Sequence, residues 1–232
     1  MTDKMLIQIQ KQVLGLVAEK YPQVYLVGGT AINLLYGHRI SEDLDFFSQE
    51  YSGALHREIV SYIRKAGGYR FRLIHEERRK QFLPMAIYEF DTGKRTVLKV
   101  DFVKDVVPLI RTTREDGIAS AEDIYYRKIL AAIGWTKKES LFGGTIAGGR
   151  QKTKDLFDIF FLSSNVEPLS ECFVKYFDRP AYERLTAWYL RLPKQKTVME
   201  LLDWMPGSDP RAVFKHLDGE IIEELNRKYL NL

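Results

Sequence analysis

The chain has 232 residues, 45% of them hydrophobic and 28% charged, with a formal net charge of +4 at pH 7. This composition suits one large hydrophobic core or two modest cores. The single cysteine, Cys172, excludes an internal disulfide and a cysteine-based zinc cluster. No signal peptide is visible and no apolar run is long enough to cross a bilayer, so we expect a cytoplasmic protein.

The first predicted elements are a helix over residues 5–20, which has apolar side chains at helical spacing, and a strand that starts at Tyr25. A Gly28-Gly29 turn and a short helix starting at Thr30 follow. A backbone without Cβ can approach phosphate oxygens closely, and a helix N-terminus with Thr30 near its cap favours anions. The segment therefore predicts phosphate binding at Gly28, Gly29 and Thr30.

The next predicted strand carries two carboxylates, Asp43 and Asp45. Residues two apart on a strand share one face at a repeat of about 7 Å, so both side chains point the same way. Mg²⁺ prefers oxygen ligands and is commonly shared with substrate phosphates. A third carboxylate, Asp101, ends an apolar run that is typical of a neighbouring strand. Asp43, Asp45 and Asp101 are the predicted metal ligands.

The segment between the short helix and this strand is a predicted loop that contains Arg39 and Ser41. The Arg39 guanidinium can neutralise a triphosphate, and the Ser41 hydroxyl can cap the next turn or form a hydrogen bond near the metal site. The alternative is that both side chains only order the loop.

A helix over residues 55–65 and three strands over residues 69–74, 82–90 and 96–103 are predicted next, with a hairpin turn at residues 91–94. Together with the first strands they predict a mixed sheet that has helices on at least one face.

The densest positive cluster of the sequence lies in this region, and a nucleic-acid strand can bind such a cluster through its phosphates. The equally weighted alternative is a solvated strand edge that charge keeps soluble. The cluster consists of Arg70, Arg72, Arg78, Arg79 and Lys80.

A change of composition near Pro108 and in the polar run 111–117 predicts a domain boundary, which divides the chain into residues 1–115 and a helical domain of residues 116–232. Ser120 and Asp123 form a capping pattern for the first helix after it. Four aromatic residues recur at helical spacing in the C-terminal part and are predicted to lie in its core: Trp188, Tyr189, Trp204 and Phe214.

An amphipathic helix over residues 151–162 places Asp155 and Asp158 on one face, with Lys154 adjacent in sequence and Arg150 one turn earlier. Such a cluster can orient groups that bind a nucleotide. Alternatively, it is a surface ion-pair network worth about 0 to 1 kcal/mol.

The segment from Tyr25 to Phe47 resembles the polymerase-β-like nucleotidyltransferase superfamily. Within it, Gly-Gly-Thr-Ala followed by Gly-His-Arg-x-Ser-x-Asp-Leu-Asp-Phe-Phe is similar to the AbiEii/AbiGii nucleotidyltransferase toxin family of bacterial toxin–antitoxin systems. The match extends to Asp101, to Lys128 and to residues 150–158, and covers roughly the first 160 residues. The resemblance implies an α+β fold, with a mixed sheet and helices, followed by an all-helical C-terminal domain that closes over one side of a cleft.

The resemblance also implies roles for individual residues. Lys128 would reach over the nucleotide phosphates and Asp155 would belong to the site, with Lys154 and Asp158 secondary. The implied catalytic residues are Asp43, Asp45, Asp101, Lys128 and Asp155. The implied nucleotide-binding residues are Gly28, Gly29, Thr30, Arg39, Ser41, Lys128, Arg150, Lys154 and Asp158.

The implied reaction transfers a nucleoside monophosphate from an NTP to an acceptor, with two Mg²⁺ ions and release of pyrophosphate. The resemblance further implies a toxin that modifies the acceptor end of tRNA and is neutralised by an antitoxin protein. Three alternatives remain open: a small-molecule nucleotidyltransferase of the antibiotic-modifying kind, a non-catalytic nucleotide-binding module on the same fold, and a metal-dependent phosphohydrolase.

Overall fold

The structure, a computed structural model, describes residues 3–79, 81–91, 97–134, 152–205 and 209–230. The chain divides into two compact units, Met1–Ile124 and Tyr125–Leu232. The first contains a five-stranded sheet with helices, and the described part of the second is helical. The predicted α+β class is confirmed. The predicted boundary after residue 115 lies shortly before the division between the units.

The elements of the first unit follow the predicted order. They are α1 (Asp3–Lys20), β1 (Tyr25–Val27), α2 (Gly28–Tyr36), β2 (Asp43–Ser48), α3 (Gly53–Gly67), β3 (Arg70–Glu77), β4 (Met85–Asp91) and β5 (Val97–Lys104), and α4 (Ala121–Ile133) begins within this unit. The turn predicted at residues 91–94 extends beyond the described residues. Strand β4 starts later than predicted because Pro84, which lacks an N–H donor, precedes it.

The sheet has the strand order β1-β2-β5-β4-β3, in which β2 and β5 run parallel and the other neighbours run antiparallel. Along β2 the buried side chains of Leu44 and Phe46 alternate with the half-buried Asp43 and Asp45. The apolar face packs in the core, and the opposite face therefore carries the carboxylates. The mixed sheet is as predicted.

The two edges of the sheet differ. At β1, Leu26 donates a backbone hydrogen bond to Gly117 and accepts one from Ala119, so this edge is covered. The opposite edge strand, β3, carries Arg70 and Arg72 of the predicted basic cluster, and Arg78 and Arg79 follow its end. Arg72 and Arg78 pair with Glu89 and Glu76.

Within the same cluster, Arg79 pairs with Glu77 at 2.6 Å. Carboxylates of the strand edge therefore offset much of the positive charge that the sequence suggested. This arrangement favours the solvated-edge interpretation. Lys80 lies outside the described residues, and contact of the cluster with RNA stays a prediction.

The second unit continues α4 and contains a series of short helices. They are α5 (Thr153–Asn165), α6 (Leu169–Tyr176), α7 (Arg179–Leu190), α8 (Lys194–Leu202), α9 (Arg211–Leu217), a π-helical turn (Asp218–Glu224) and α10 (Leu225–Leu230). No helix in the described ranges is long and apolar enough to cross a membrane. Cys172 is buried as a small apolar residue in α6.

The core of this unit contains three of the four aromatic residues that the sequence predicted to be buried, namely Trp188, Tyr189 and Phe214. The prediction is wrong for Trp204, which is only half-buried. Helix α8 ends at Leu202, so Trp204 follows the helix and its helical spacing no longer places it on the buried face.

Candidate functional site

The pairing of β2 with β5 brings the three predicted carboxylates together on one face of the sheet. In this parallel pair Asp45 lies opposite Asp101, and Asp43 lies opposite Lys99. Since side chains alternate across each strand, Asp43 and Asp45 share a face. Asp101 is buried, whereas the carboxylates of β2 are half-buried.

The Gly-Gly segment lies directly against this carboxylate face. Gly28 has a φ of +80°, and a Cβ added to it would lie 2.5 Å from Asp45 Oδ2. A Cβ added to Gly29 would lie 2.7 Å from Arg39 Nη2 and 3.0 Å from Ser41 Oγ. The residues predicted to bind phosphate therefore cluster around a backbone that has no room for a side chain.

The start of the short helix differs from the prediction in two respects. Helix α2 begins at Gly28 rather than Thr30, and no side chain caps its N-terminus. Thr30 is fully buried, and its hydroxyl donates a short hydrogen bond to the backbone carbonyl of Asp43. Thr30 thus positions the first carboxylate of β2 instead of capping the helix, a role that depends on a contact between two elements.

One residue of α1 also orders the site and was missed in the sequence. The Gln10 side chain donates a 2.8 Å hydrogen bond from Nε2 to the backbone carbonyl of Ser41, and it is completely buried. Gln10 lies at helical spacing between Leu6 and Val13 on the apolar face of α1. A polar residue on such a face is a signal that could have identified it.

Lys99 is a second missed residue, and it lies among the carboxylates. Its Nζ donates to Asp101 Oδ2 at 2.6 Å, while the buried Oδ1 of Asp101 has no hydrogen-bond partner among the described residues. Burial raises the pKa of the Asp101 carboxyl against the opposing effect of Lys99. Burial alone would lower the pKa of Lys99, but Asp101, Asp43 and Asp45 outweigh it and raise that pKa.

These carboxylates fit a hard divalent cation in their chemistry. Asp43, Asp45 and Asp101 supply only oxygen donors, and Asp101 Oδ1 is a buried acceptor with unused capacity. In the described part of the chain, however, no three acidic, histidine or cysteine side chains already form a ready ligand set. The Lys99 ammonium holds one Asp101 oxygen, so cation binding there requires Lys99 to yield that oxygen.

We therefore expect Lys99→Met to bind Mg²⁺ about fivefold more tightly than the native chain. The ion pair between the partly exposed Lys99 and Asp101 is worth about 1 kcal/mol, and in the variant the metal no longer competes with the lysine for the Asp101 oxygen. The measurement is a Mg²⁺ titration without nucleotide, in which calorimetry or the temperature of thermal unfolding reports binding. Lys104→Met, an exposed position on the same strand, is the matched control, and equal affinities in all three proteins would contradict the competition.

Gly28→Ala is expected to reduce nucleotide binding at least tenfold and to destabilise the fold by about 1–2 kcal/mol. The left-handed conformation of Gly28 costs a residue with Cβ about that amount, and the new methyl group would displace the Asp45 carboxylate. Binding of a labelled NTP and thermal unfolding measure the two effects. Gly15→Ala on α1, where an added Cβ meets no atom within 4 Å, is the control and should keep native binding.

A second cluster of predicted residues lies in the helical unit. Lys128 Nζ of α4 contacts Asp155 Oδ1 at 3.0 Å and Asp158 Oδ2 at 2.6 Å, both on α5. Asp155 and Asp158 are completely buried, and Lys128 is 6% exposed. The interpretation of this cluster as a surface ion-pair network is therefore wrong.

The ammonium of Lys128 is a buried cation held by two carboxylates. Burial alone would lower its pKa, but Asp158 and Asp155 outweigh burial and raise it, so the lysine is protonated. Contact of Lys128 with nucleotide phosphates stays a prediction. Lys154, in the first turn of α5, is half-buried, and Arg150 lies outside the described residues.

The chain matches one family model, and it is similar in fold to solved structures. The family model described as "Nucleotidyl transferase AbiEii toxin, Type IV TA system" matches residues 16–204, which is most of the chain. Among curated proteins, none matches the chain.

Two solved structures illustrate the similarity. JHP933 of Helicobacter pylori is 21% identical, with a TM-score of 0.58 over 97% of this chain and 94% of that chain, and it shares the fold. The nucleotidyltransferase toxin MenT4 of Mycobacterium tuberculosis is 17% identical, with a TM-score of 0.47 over 82% of this chain and 64% of that chain. The second likeness is too distant to support an argument.

The predicted family is thus confirmed over a segment that contains the Gly-Gly turn, the three sheet carboxylates and the buried lysine cluster. The chain belongs to the AbiEii nucleotidyltransferase toxin family.

Proposed function

We propose that this nucleotidyltransferase transfers a nucleoside monophosphate from an NTP to the acceptor end of tRNA in a Mg²⁺-dependent reaction. One observation carries the proposal: the register that sets Asp45 opposite Asp101, with Asp43 on the same face and Gly28 against the Asp45 carboxylate. This arrangement combines a set of oxygen donors with a phosphate-binding backbone, which is what phosphoryl transfer requires.

The residues around Gly29 would bind the triphosphate. The Arg39 guanidinium and the Ser41 hydroxyl approach the Gly29 backbone closely, so both can donate hydrogen bonds to phosphate oxygens beside it. Gln10 and Thr30 would hold the Ser41 loop and β2 in position through their contacts with backbone carbonyls. These contacts lie within the first unit.

Asp43, Asp45 and Asp101 would hold the metal, which supplies charge stabilisation for the triphosphate and the attacking oxygen when bound. In the reaction, the acceptor hydroxyl oxygen forms a bond to the α-phosphorus. The bond from that phosphorus to the oxygen bridging the β-phosphate breaks, so pyrophosphate leaves with its electron pair. The carboxylate face would receive the acceptor proton, and the buried Oδ1 of Asp101, which has no hydrogen-bond partner among the described residues, is a candidate to accept it.

An RNA acceptor agrees with the formal net charge of +4. The family description places the chain in type IV toxin–antitoxin systems, so we propose a cognate antitoxin protein as a partner. A tRNA acceptor also implies action in the cytoplasm. The acceptor class distinguishes this proposal from an antibiotic-modifying enzyme.

The test is label transfer from each of the four α-labelled NTPs, with Mg²⁺, to purified total tRNA. We expect label in tRNA from at least one NTP, with release of pyrophosphate rather than orthophosphate. The same reactions with small-molecule antibiotics and with protein as acceptors form the comparison.

Label in an antibiotic and none in tRNA would replace the proposed acceptor. Orthophosphate without label transfer would indicate hydrolysis. A folded protein that binds NTP but labels no acceptor would favour a non-catalytic binding module.

A further inference from the structure

The helical unit contains a cavity of about 290 Å³ that the residues of the sheet site do not line. Three lysines border it, Lys152, Lys154 and Lys196, together with the single carboxylate of Glu200. Glu200 lies 3.7 Å from Lys196 on the next turn of α8, where both side chains are exposed. The lining therefore carries a net positive charge, which attracts anions.

Two helices begin at this cavity. Thr153 is the first residue of α5. Lys196 and Thr197 are the third and fourth residues of α8. Neither helix has a side chain that caps its N-terminus. Their first N–H groups and dipoles add to the lysine charges, and this combination suits a phosphate group.

An independent observation comes from Thr197, which is 1% exposed and lines the same cavity. Its Oγ1 is buried and has no hydrogen-bond partner among the described residues. A buried hydroxyl without a partner costs stability, so its presence beside three lysines points to a ligand that accepts the hydrogen bond.

Trp204 provides an aromatic surface at the cavity. It is half-buried after the end of α8, with its ring centroid 6.0 Å from that of Phe157. Phe157 thus supports the indole from within the fold. An aromatic ring next to a positively charged groove is the combination with which proteins bind single-stranded nucleic acid, through base stacking and backbone charge.

We propose that this cavity binds the single-stranded 3′ segment of the acceptor RNA, an inference that rests on the proposed function. Thr197, Lys152 and Lys196 contact a backbone phosphate, and Trp204 stacks on an adjacent base. RNA is favoured over the NTP because the triphosphate already has a candidate site at Gly28 and Gly29.

Thr197→Val gives the sharpest test, because it keeps the side-chain shape and removes only the hydroxyl. A purely structural threonine with an unpartnered Oγ1 predicts unchanged or raised thermal stability and unchanged RNA binding. The proposal predicts the same stability with about tenfold weaker binding of a labelled single-stranded RNA oligonucleotide that has the sequence of a tRNA 3′ end. Binding is measured by fluorescence anisotropy without NTP, so no transfer occurs.

The lysines and the indole are tested with the same probe. Lys152→Gln with Lys196→Gln should weaken binding about tenfold and reduce the slope of log affinity against log salt by about 1.4. Lys175→Gln with Lys228→Gln removes equal charge from lysines paired with Glu167 and Glu171 in the same unit, and it should leave the slope nearly unchanged. Trp204→Leu should weaken binding about tenfold.

Native RNA affinity in both Thr197→Val and the Lys152/Lys196 variant would overturn the proposal. Weakened binding of a labelled NTP, with RNA binding unchanged, would also overturn it and assign the cavity to the triphosphate. Because the RNA titrations contain no NTP, they remain informative if tRNA proves not to be the acceptor. Transfer to tRNA that is unaffected by all the cavity variants would leave the proposed function intact and reject only this inference.

Discussion

Asp45→Asn is expected to reduce nucleotide transfer by at least about 10³-fold while leaving the fold intact. The substitution conserves shape and removes one negative charge at the point where β2 lies opposite Asp101 and against Gly28. An amide oxygen is a much weaker ligand for a hard cation than a carboxylate, and the amide nitrogen would turn a donor toward a site that needs acceptors.

The stability of this variant separates loss of chemistry from loss of structure. Asp45 is half-buried, and neutralising it relieves repulsion within the carboxylate cluster but also removes its attraction to Lys99. These two effects oppose each other, so we expect thermal unfolding without added metal to change little. Mg²⁺ should stabilise the variant less than the native chain, because stabilisation by a ligand follows its affinity for the folded state.

Glu42→Gln is the matched control for this experiment. Glu42 is an exposed carboxylate that directly precedes β2, so its substitution removes the same charge within three residues of Asp45 without touching the paired strands. Single-turnover label transfer should be within about twofold of native for Glu42→Gln. Comparable transfer by Asp45→Asn would remove the carboxylate face from the mechanism.

The carboxylates of the site could be predicted because a period of two is a local property. Asp43 and Asp45 share a face in any strand, and the buried alternation of Leu44 and Phe46 requires that they lie on the open side. The same rule, applied to β5, relates Lys99 to Asp101. A lysine two residues before a predicted ligand carries the same signal, so the position of Lys99 beside Asp101 is also visible in the sequence.

Other features depend on contacts between segments that are distant in sequence. The hydrogen bonds of Gln10 and Thr30 exist only because α1 and α2 pack against the segment that leads into β2. The burial of Lys128 between Asp155 and Asp158 likewise depends on how α4 and α5 pack. Local periodicity could place these residues on helices, but it could not show which polar groups would meet.

Trp204 illustrates a different limit. Its spacing from Leu201 fits a helical core position, but the helix ends at Leu202 and the chain turns before the indole. Helix ends are decided by a few local contacts and are the least predictable part of an element. The error matters here, because a half-buried Trp204 at the cavity can act as a stacking surface, whereas a core tryptophan could not.

Lys128→Met is expected to lower the free energy of unfolding by about 3–5 kcal/mol, the largest stability effect that the structure predicts. The lysine supplies the buried positive charge at 3.0 Å and 2.6 Å from the carboxylates of Asp155 and Asp158. Methionine has a similar length but leaves two buried negative charges without that cation. Denaturant unfolding followed by far-ultraviolet circular dichroism measures the loss.

The pH dependence of this loss has a definite sign. Asp158 and Asp155 raise the pKa of Lys128 above its ordinary value of 10.5 in the folded chain. The stability that this lysine contributes is therefore complete below that value and is lost as pH rises through the folded-state pKa. The difference between the variant and the native chain should thus be constant near neutral pH and should shrink in strongly alkaline buffer.

Lys175→Met is the control, since it removes a lysine of the same unit that pairs with Glu167 at the surface, and it should cost less than about 1 kcal/mol. Adding Asp155→Asn and Asp158→Asn to Lys128→Met removes the two negative charges that Lys128 contacted and should recover part of the lost stability. If this triple variant is folded at the assay temperature and still transfers label at the native rate, the cluster serves the fold alone. Loss of transfer in that folded variant would support a role of the cluster of Lys128, Asp155 and Asp158 in the reaction, because restored stability would exclude unfolding as the cause.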